Sequence, residues 1–316
     1  MRVFRQLNEI PDNFGPSIVS VGNFDGIHRA HSHMLEVLVR RAREQAFKSV
    51  AVTFRPHPAR YLRPDSSLKL LTPEIEKLRL FNATGLDAVV VLPFDATMQL
   101  TPARDFARTI LRDRLHASEV HEGFNFRFGN QGAGDIRTLS DLGREFGFQV
   151  FSYAEMRVRG LEVSSSAIRR LLQEGKVHPA RHLLGRVFSI LSSPARGRGY
   201  GTKYTVPTIN LAAYDELIPQ NGVYVTRTRV GAESFDSVTN IGNRPTFGTD
   251  SFAIETHLLN FRPLDMAEDT EVELFFFRRL RAEIKFSSPE VLREQIQQDV
   301  KKATRYLRLA KQTALR

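Results

Sequence analysis

The sequence predicts a chain in two unlike parts: an α/β domain with a parallel sheet, then an antiparallel six-stranded β-barrel with a covering C-terminal helix. Two observations predict it. Up to about residue 184, short apolar runs alternate with stretches whose apolar residues recur at helical spacing, the pattern of βαβ units around a parallel sheet. Beyond Gly185 the period changes, and six strand-like runs follow at close spacing, punctuated by Gly, Pro, Asn and Asp, as in a closed antiparallel sheet. The 316 residues, 41% of them hydrophobic and 25% charged, suffice for two cores, and the join is expected around residues 183–187, dividing the chain into 1–184 and 185–316.

In order, the first part offers the strands "SIVSVG", "KSVAVTF", "DAVVVL", "EVHEGF" and "FQVFSY". Helices are expected over "HMLEVLVRRAREQA", from about Pro73, from about Pro102, and over "SSAIRRLLQEG" and "VHPARHLLG". In the first helix Met34, Leu35, Leu38, Val39 and Ala42 form one apolar stripe, leaving Arg40, Arg41, Arg43 and Glu44 to solvent. The barrel strands are expected in "GRVFSI", "VPTINL", "GVYVTRTRV", "SFDSVTNIG", "AIETHLLNF" and "TEVELFFFRRLR". The last helix follows Pro289, with Val291, Leu292, Ile296, Val300, Ala303 and Leu307 as the stripe that covers the barrel.

With no cysteine, disulfides and thiolate metal sites are excluded. The start lacks the apolar core of a signal peptide, and "AVVVLPF" is too short to cross a bilayer, so a soluble cytoplasmic protein is expected. A formal charge of +10 suits a nucleic-acid binder, but the basic residues are scattered and attract small anions equally well. No nucleic-acid or membrane partner is expected, and the chain is read as a monomer or weak homo-oligomer. The competing class is a basic nucleic-acid binder whose barrel serves as an oligonucleotide platform.

The stretch "VGNFDGIHRAH", 21–31, lies where a strand ends and a helix begins, where open α/β sheets bind ligands and free N–H groups meet anions. His28 and His31 are three apart and share a helical face, so their N–H groups can hold phosphate oxygens, with Asn23, Asp25 and Gly26 shaping the approach. By spacing alone, Asp25 capping the helix beside two surface histidines is the commoner reading. "GFNFRFG" by itself reads as a strand with Phe124, Phe126 and Phe128 on one face, and "RPHP" as a rigid turn.

Taken together, "GNFDGIHRAH", "TFRPHP" at 53–58, "GFNFRFGNQGAGD" at 123–135 and "VSSSAIRRLL" at 163–172 resemble the nucleotidyltransferase half of bacterial FAD synthetases, in the same order. The resemblance implies a Rossmann-like domain in which Gly22, Asn23, Phe24, Asp25, Gly26, His28 and His31 hold ATP, with Ser164, Ser165 and Arg169 completing the triphosphate site. It implies that His57, Pro58, Asn125, Phe126 and Phe128 line the flavin. Two departures stand out: Ala30 replaces a glycine usual in that turn, and Asn125 stands where relatives often carry Asp.

In the second part, "RGRGYGTKYTVPTINL" joins a basic glycine-rich loop to a strand on which Thr208 and Asn210 share a face, offering the hard oxygens that Mg²⁺ accepts. A plain flexible loop before a strand is an equal reading. With "NGVYV", "TNIGNRPTFG", "IETHLLNF" and "VELFFFRRLRAEIKFSSPEVLREQIQQD", this stretch resembles the riboflavin kinase module. The resemblance implies that Gly199, Gly201, Lys203, Thr208 and Asn210 hold Mg-ATP, Thr208 and Asn210 at the metal, and that Glu255 takes the proton from the riboflavin 5′-hydroxyl. Glu255 is expected to point into the barrel, although "AIETHLLNF" also allows the opposite phase, with Ile254, Thr256 and Leu258 inside. The "YTVPTIN" segment departs from the Leu-Gly-Phe-Pro and Thr-Ala-Asn usual there. The implied chemistry is riboflavin to FMN in the second part, then FMN to FAD with release of pyrophosphate in the first, with ATP and Mg²⁺ in both.

Overall fold

The computed structural model describes residues 1–195, 208–243, 252–259, 266–267 and 269–314. The chain divides into two compact units, Met1–Ser165 and Ser166–Arg316.

The first unit is a parallel sheet in the order β1-β4-β3-β2-β5-β6, formed by β1 (Arg2–Phe4), β2 (Ser17–Val21), β3 (Lys48–Arg55), β4 (Ala88–Pro93), β5 (Ala117–Gly123) and β6 (Gln149–Tyr153). The connections carry α1 (Arg29–Glu44), α2 (Pro58–Leu62), α3 (Glu74–Thr84), α4 (Ala96–Leu100), α5 (Ala103–Phe106), which runs on as a π-helical stretch to Arg114, and α6 (Ile136–Phe146). All five residues of β2 are buried because helices cover both faces of the sheet, which is why its sequence reads as one apolar run. One apolar layer gathers Leu35, Leu38 and Ala42 of α1 with Ile18, Ala51 and Val89, and the other gathers Val19, Val21, Val50, Val90 and Val120 with Ile110 and Leu139.

The predicted strands of this half all form, and further elements appear, among them the short helices α2 and α4. Strand β1 is too short for a period to show and exists by pairing with β4. Helix α6 had a signal: Asp135 caps it, its carboxylate accepting from Thr138 N–H at 2.9 Å, and Gly147 ends it at φ 85°. A small hairpin, β7 (Arg157–Val158) and β8 (Leu161–Glu162), follows β6. The phenylalanine run is not a strand: β5 stops at Gly123, Phe124 is 52% exposed, and the rings of Phe126 and Phe128 stack at 5.3 Å as the chain turns away.

Strands β2 and β5 are neighbours across the point where the strand order reverses. They pair at Ser17, Ile18 and Val19, and no pair is formed beyond Val19↔Val120. On their far sides both strands stay paired to the end, Val21 with Val52 and Gly123 with Tyr153. A cleft therefore opens at the carboxyl ends of these two strands, the usual ligand position in such sheets.

A buried polar network pins α1 above that cleft. Arg41 donates to both oxygens of Glu119 on β5 at 2.6 Å, Gln45 adds a third bond at 2.7 Å, and His121 bridges Glu119 (3.0 Å) and the Tyr153 hydroxyl (2.7 Å). One neutral tautomer serves both His121 bonds, Nε2–H donating to the carboxylate and Nδ1 accepting from tyrosine, and burial favours that form by lowering the imidazole pKa. Burial raises the Glu119 pKa, but the bonds from Arg41, Gln45 and His121 outweigh it and hold the carboxyl at about 2. A depressed acid stabilises the fold above its unfolded pKa, so this contribution is whole above about pH 4.5 and is lost as pH falls towards 2. Arg41→Met is expected to cost about 2–3 kcal/mol at neutral pH. Denaturant titrations should show the gap from the parent chain closing across that acid window.

The second unit opens with α7 (Ser165–Gln173), whose first residue belongs to the first unit, and α8 (Val177–Leu184). The six antiparallel strands β9 (Phe188–Ser192), β10 (Thr208–Asn210), β11 (Gly222–Val230), β12 (Glu233–Asn243), β13 (Phe252–Leu258) and β14 (Val272–Arg281) follow in the order β10-β13-β12-β11-β14-β9. The two edges meet through a Pro194↔Leu211 bridge and the bonds Ala195 N–H to Asn210 O (2.8 Å) and Ala212 N–H to Ser193 O (2.9 Å), which closes the sheet on itself. Helix α9 (Pro289–Ala314) lays Ala303 and Leu307 on Val223, Val225 and Val238, and Asp299, 2% exposed, takes two bonds from Arg281. Only the later part of its predicted stripe is buried, since Val291, Leu292 and Ile296 are 39–45% exposed.

Facing away from α9, five fully buried hydroxyls close a ring across β11, β12 and β13. Thr226 bonds Ser237 (2.8 Å) and Thr239 (2.7 Å), Thr228 bonds Ser237 (2.8 Å) and Thr256 (3.1 Å), and Thr239 bonds Thr256 (2.9 Å). Each hydroxyl has two ring partners and can donate once and accept once, so the ring is satisfied without water. Thr226→Val leaves two buried hydroxyls each short of a partner and should cost about 1–3 kcal/mol, whereas Thr226→Ser should stay near the parent in thermal melts.

Candidate functional site

In the first unit, everything after Val21 is backbone held in place by other elements. Gly22 N–H still bonds Val52 O at 2.9 Å, and the chain then turns through left-handed residues, Phe24 (φ 47°), Gly26 (φ 88°) and Ile27 (φ 34°). Phe24 tolerates that geometry because its ring is an anchor: it is 1% exposed and packs edge-on against Phe81. Asn23 O accepts from Lys77 Nζ (2.8 Å) and Thr53 Oγ1 (3.3 Å).

Asp25 does not cap α1. It is 2% exposed, and its Oδ1 accepts from Leu71 N–H (2.9 Å) and Thr72 N–H (3.1 Å), while Gly26 N–H donates to Thr72 Oγ1 (3.0 Å) and Ser165 Oγ donates to Asp25 O (2.7 Å). The cap position belongs to His28, which is buried. Its ring stacks on His31 with centroids 3.7 Å and planes 13° apart. Burial first, then repulsion from His28 and Lys77, pushes the His31 pKa well below the usual imidazole range. Among the described residues His31 Nδ1 is buried with no hydrogen-bond partner, so the ring keeps one unspent nitrogen at the start of α1.

The remaining predicted residues of this half are more spread out. Ser164 stands immediately before α7, Ser165 begins it and Arg169 lies on its second turn, within the second unit. His57 caps α2, Nδ1 accepting from Ala59 N–H at 3.1 Å, with Pro58 next to it, so the rigid-turn reading of "RPHP" is correct as far as the backbone goes. Asn125 is exposed at the turn after β5, Phe126 is partly buried, and Phe128 belongs to the core. Sequence reasoning missed Lys77, Thr72 and Glu122. Lys77 had a signal, a cation four residues before the buried Phe81 on the inner stripe of α3; Thr72 had none.

In the second unit, Asn210 on β10 lies opposite Glu255 on β13, and Asn240 on β12 lies opposite Glu255 from the other side. Thr208 shares the Asn210 face, as predicted. The inward phase expected of Glu255 is not the one observed. Ile254, Thr256 and Leu258 are buried, Thr256 within the hydroxyl ring, so Glu255 points to the opposite face and is only partly buried. The register of the ladder gathers Asn210, Glu255 and Asn240 on that surface. Asn240 had not been singled out. Gly199, Gly201 and Lys203 lie outside the described residues. Among the described residues no three His, Cys, Asp or Glu side chains cluster as metal ligands, and no helix is long and apolar enough to cross a membrane.

Comparison with known proteins follows this division. Residues 10–167 match the FAD synthetase family model and residues 184–307 the riboflavin kinase family model. Proteins named bifunctional riboflavin kinase/FMN adenylyltransferase match nearly end to end. The protein from Pseudomonas fluorescens is 32% identical over 95% of this chain and 96% of its own, that from Buchnera aphidicola (Schizaphis graminum) 30% over 98% and 100%, and that from Escherichia coli K12 30% over 93% and 94%. The chain belongs to the bifunctional riboflavin kinase/FMN adenylyltransferase family. It phosphorylates riboflavin to FMN in its riboflavin kinase domain and adenylylates FMN to FAD in its FAD synthetase domain, consuming ATP in both steps. A crystal structure described as a macrolide-efflux protein from Streptococcus pneumoniae superposes with a TM-score of 0.85 over 96% of this chain and 98% of that one; at 24% identity, it bears on the fold alone.

In the FAD synthetase domain, Asp25 ties the turn after β2 to the backbone of residues 71 and 72. Asp25→Ala leaves two buried backbone N–H groups unpaired and should lower the stability of the first unit by about 2–4 kcal/mol. Equilibrium unfolding should show it, with riboflavin phosphorylation unchanged at temperatures where both units stay folded.

Proposed function

We propose that adenylyl transfer takes place beside the β2–β5 cleft, with the triphosphate held by the turn 22–31 and the flavin by residues 57–58 and 123–128. The observation that carries this is the stacked His28–His31 pair at the mouth of α1, next to the opened strand ends. Two imidazole N–H groups and the free amides of a helix start suit a triphosphate, and they stabilise charge that builds at the α-phosphorus. Ser164 and Ser165 complete the anion site in this reading with their hydroxyls. An oxygen of the FMN phosphate attacks the α-phosphorus, the bond to the β-phosphate breaks, and pyrophosphate leaves; no covalent enzyme intermediate is required. The residue range 1–184 is assigned to this half and 185–316 to the kinase.

For the kinase we propose Glu255 as the base. The supporting observation is that Asn210 and Asn240 flank Glu255 in register on one face. The Glu255 carboxylate takes the proton of the riboflavin 5′-hydroxyl, the freed oxygen attacks the γ-phosphorus, and ADP leaves. The side-chain oxygens of Thr208 and Asn210 are hard donors that fit Mg²⁺, which when bound offsets the charge of the triphosphate. Gly199, Gly201 and Lys203 are assigned to the same nucleotide. The working form is proposed to be a monomer or weak homo-oligomer.

Glu255→Ala should lower FMN formation by roughly 10²–10⁴-fold and leave FMN-to-FAD conversion intact. His28→Ala combined with His31→Ala should do the reverse. Chromatography that follows FMN and FAD separately reads both; equal damage to both steps in folded protein would refute this division of labour.

A further inference from the structure

Past Val19 the backbone of β2 loses its neighbour on one side. In a parallel strand successive N–H groups point to alternate neighbours, and Gly22 N–H is given to β3. Val21 N–H therefore faces β5, where the ladder has already ended. Its acceptor is not a carbonyl but the side chain of Glu122, whose Oε1 lies 2.5 Å away. Glu122 is 2% exposed and lies on the sheet face of Val19, Val21 and Val120, within an apolar layer. Among the described residues, Val21 N–H is its one hydrogen-bond partner.

We infer that Glu122 is a positioning residue for adenylyl transfer: its carboxyl spans the gap where β2 and β5 part and sets the spacing between the turn that follows Val21 and the segment that follows Gly123. The inference rests on the reading that these two segments hold ATP and FMN. A backbone ladder would bring the strands to about 4.8 Å and close the cleft, whereas an apolar side chain at 122 would leave Val21 N–H buried and unpaired. A glutamate reaches across and satisfies the donor with the strands apart. Burial pushes its carboxyl well above the usual carboxylate range, although the Val21 bond opposes this, so the uncharged form is favoured. An uncharged tie adds no repulsion towards phosphates on either side.

The tie acts on the relation between two substrates and on neither alone, so its loss belongs in kcat. The full chain is compared with Glu122→Gln, which keeps an acceptor oxygen, and Glu122→Met, which keeps length and apolar character without one. Glu122→Met should lower kcat for FAD formation by about 10–100-fold with KM for ATP and FMN within about threefold, and Glu122→Gln should stay within about threefold of the parent. Riboflavin phosphorylation by the same preparations should be unchanged. A Met variant with the parent kcat, a loss confined to KM for ATP, or a Gln variant as slow as Met would overturn the inference. Hydrogen exchange separates positioning from folding: faster exchange confined to residues 21–26 and 123–128 supports it, and exchange spread into 48–55 and 88–93 overturns it. His28→Ala is assayed alongside. If it leaves FAD formation untouched, the assignment of the turn has failed, whereas a slow His28→Ala beside an unaffected Glu122→Met puts the failure on Glu122 alone.

Discussion

Two neighbouring strands of the first sheet stop sharing hydrogen bonds before they end, and the rest of the adenylyltransferase half is arranged around that parting. A sheet that opens exposes backbone donors in a place where water is being excluded, and each must find another acceptor. Val21 N–H finds Glu122, Gly22 N–H keeps its carbonyl on β3, and Gly26 N–H turns to Thr72. The cleft is thus a set of satisfied exceptions to the ladder, held open by side chains drawn from β5, α3 and the loop before α3.

Around it, rigidity is supplied by two buried polar devices of different kinds. The Arg41–Glu119–His121–Tyr153 network is ionic, ties α1 to β5 and β6, and weakens in acid because its carboxylate is held far below its usual pKa. The hydroxyl ring of the barrel is neutral and indifferent to pH over the range in which the enzyme folds. It pins the register of three strands, and with it the alignment of Asn240 and Glu255 on the reverse face.

Much of the candidate site was legible because residues suited to phosphate chemistry leave local marks. A strand running into a histidine-bearing helix start, and a Thr-x-Asn strand after a basic glycine-rich loop, are patterns a few residues long. The roles of individual residues within them were less legible. Asp25 read as shaping the approach to the helix start, or else as its cap, yet its carboxylate serves backbone at residues 71 and 72, which only the fold brings near. The alternating phenylalanines read as a strand, yet β5 ends at Gly123 and the chain turns, leaving Phe128 a single antiparallel bridge to Gly134.

What the sequence by itself determined is periodicity and order: the parallel strands and crossover helices, the change of rhythm near Gly185, the barrel strands and the chemistry-bearing stretches, all properties of residues close along the chain. What only the tertiary structure decided is phase and partnership. Either face of "AIETHLLNF" could have turned inward, and the choice fell to Thr256 because four hydroxyls on two other strands were waiting for it. Glu122 gave no sign in sequence for a related reason: a buried carboxyl means something only once the backbone donor it meets, a hundred residues earlier in the chain, is known.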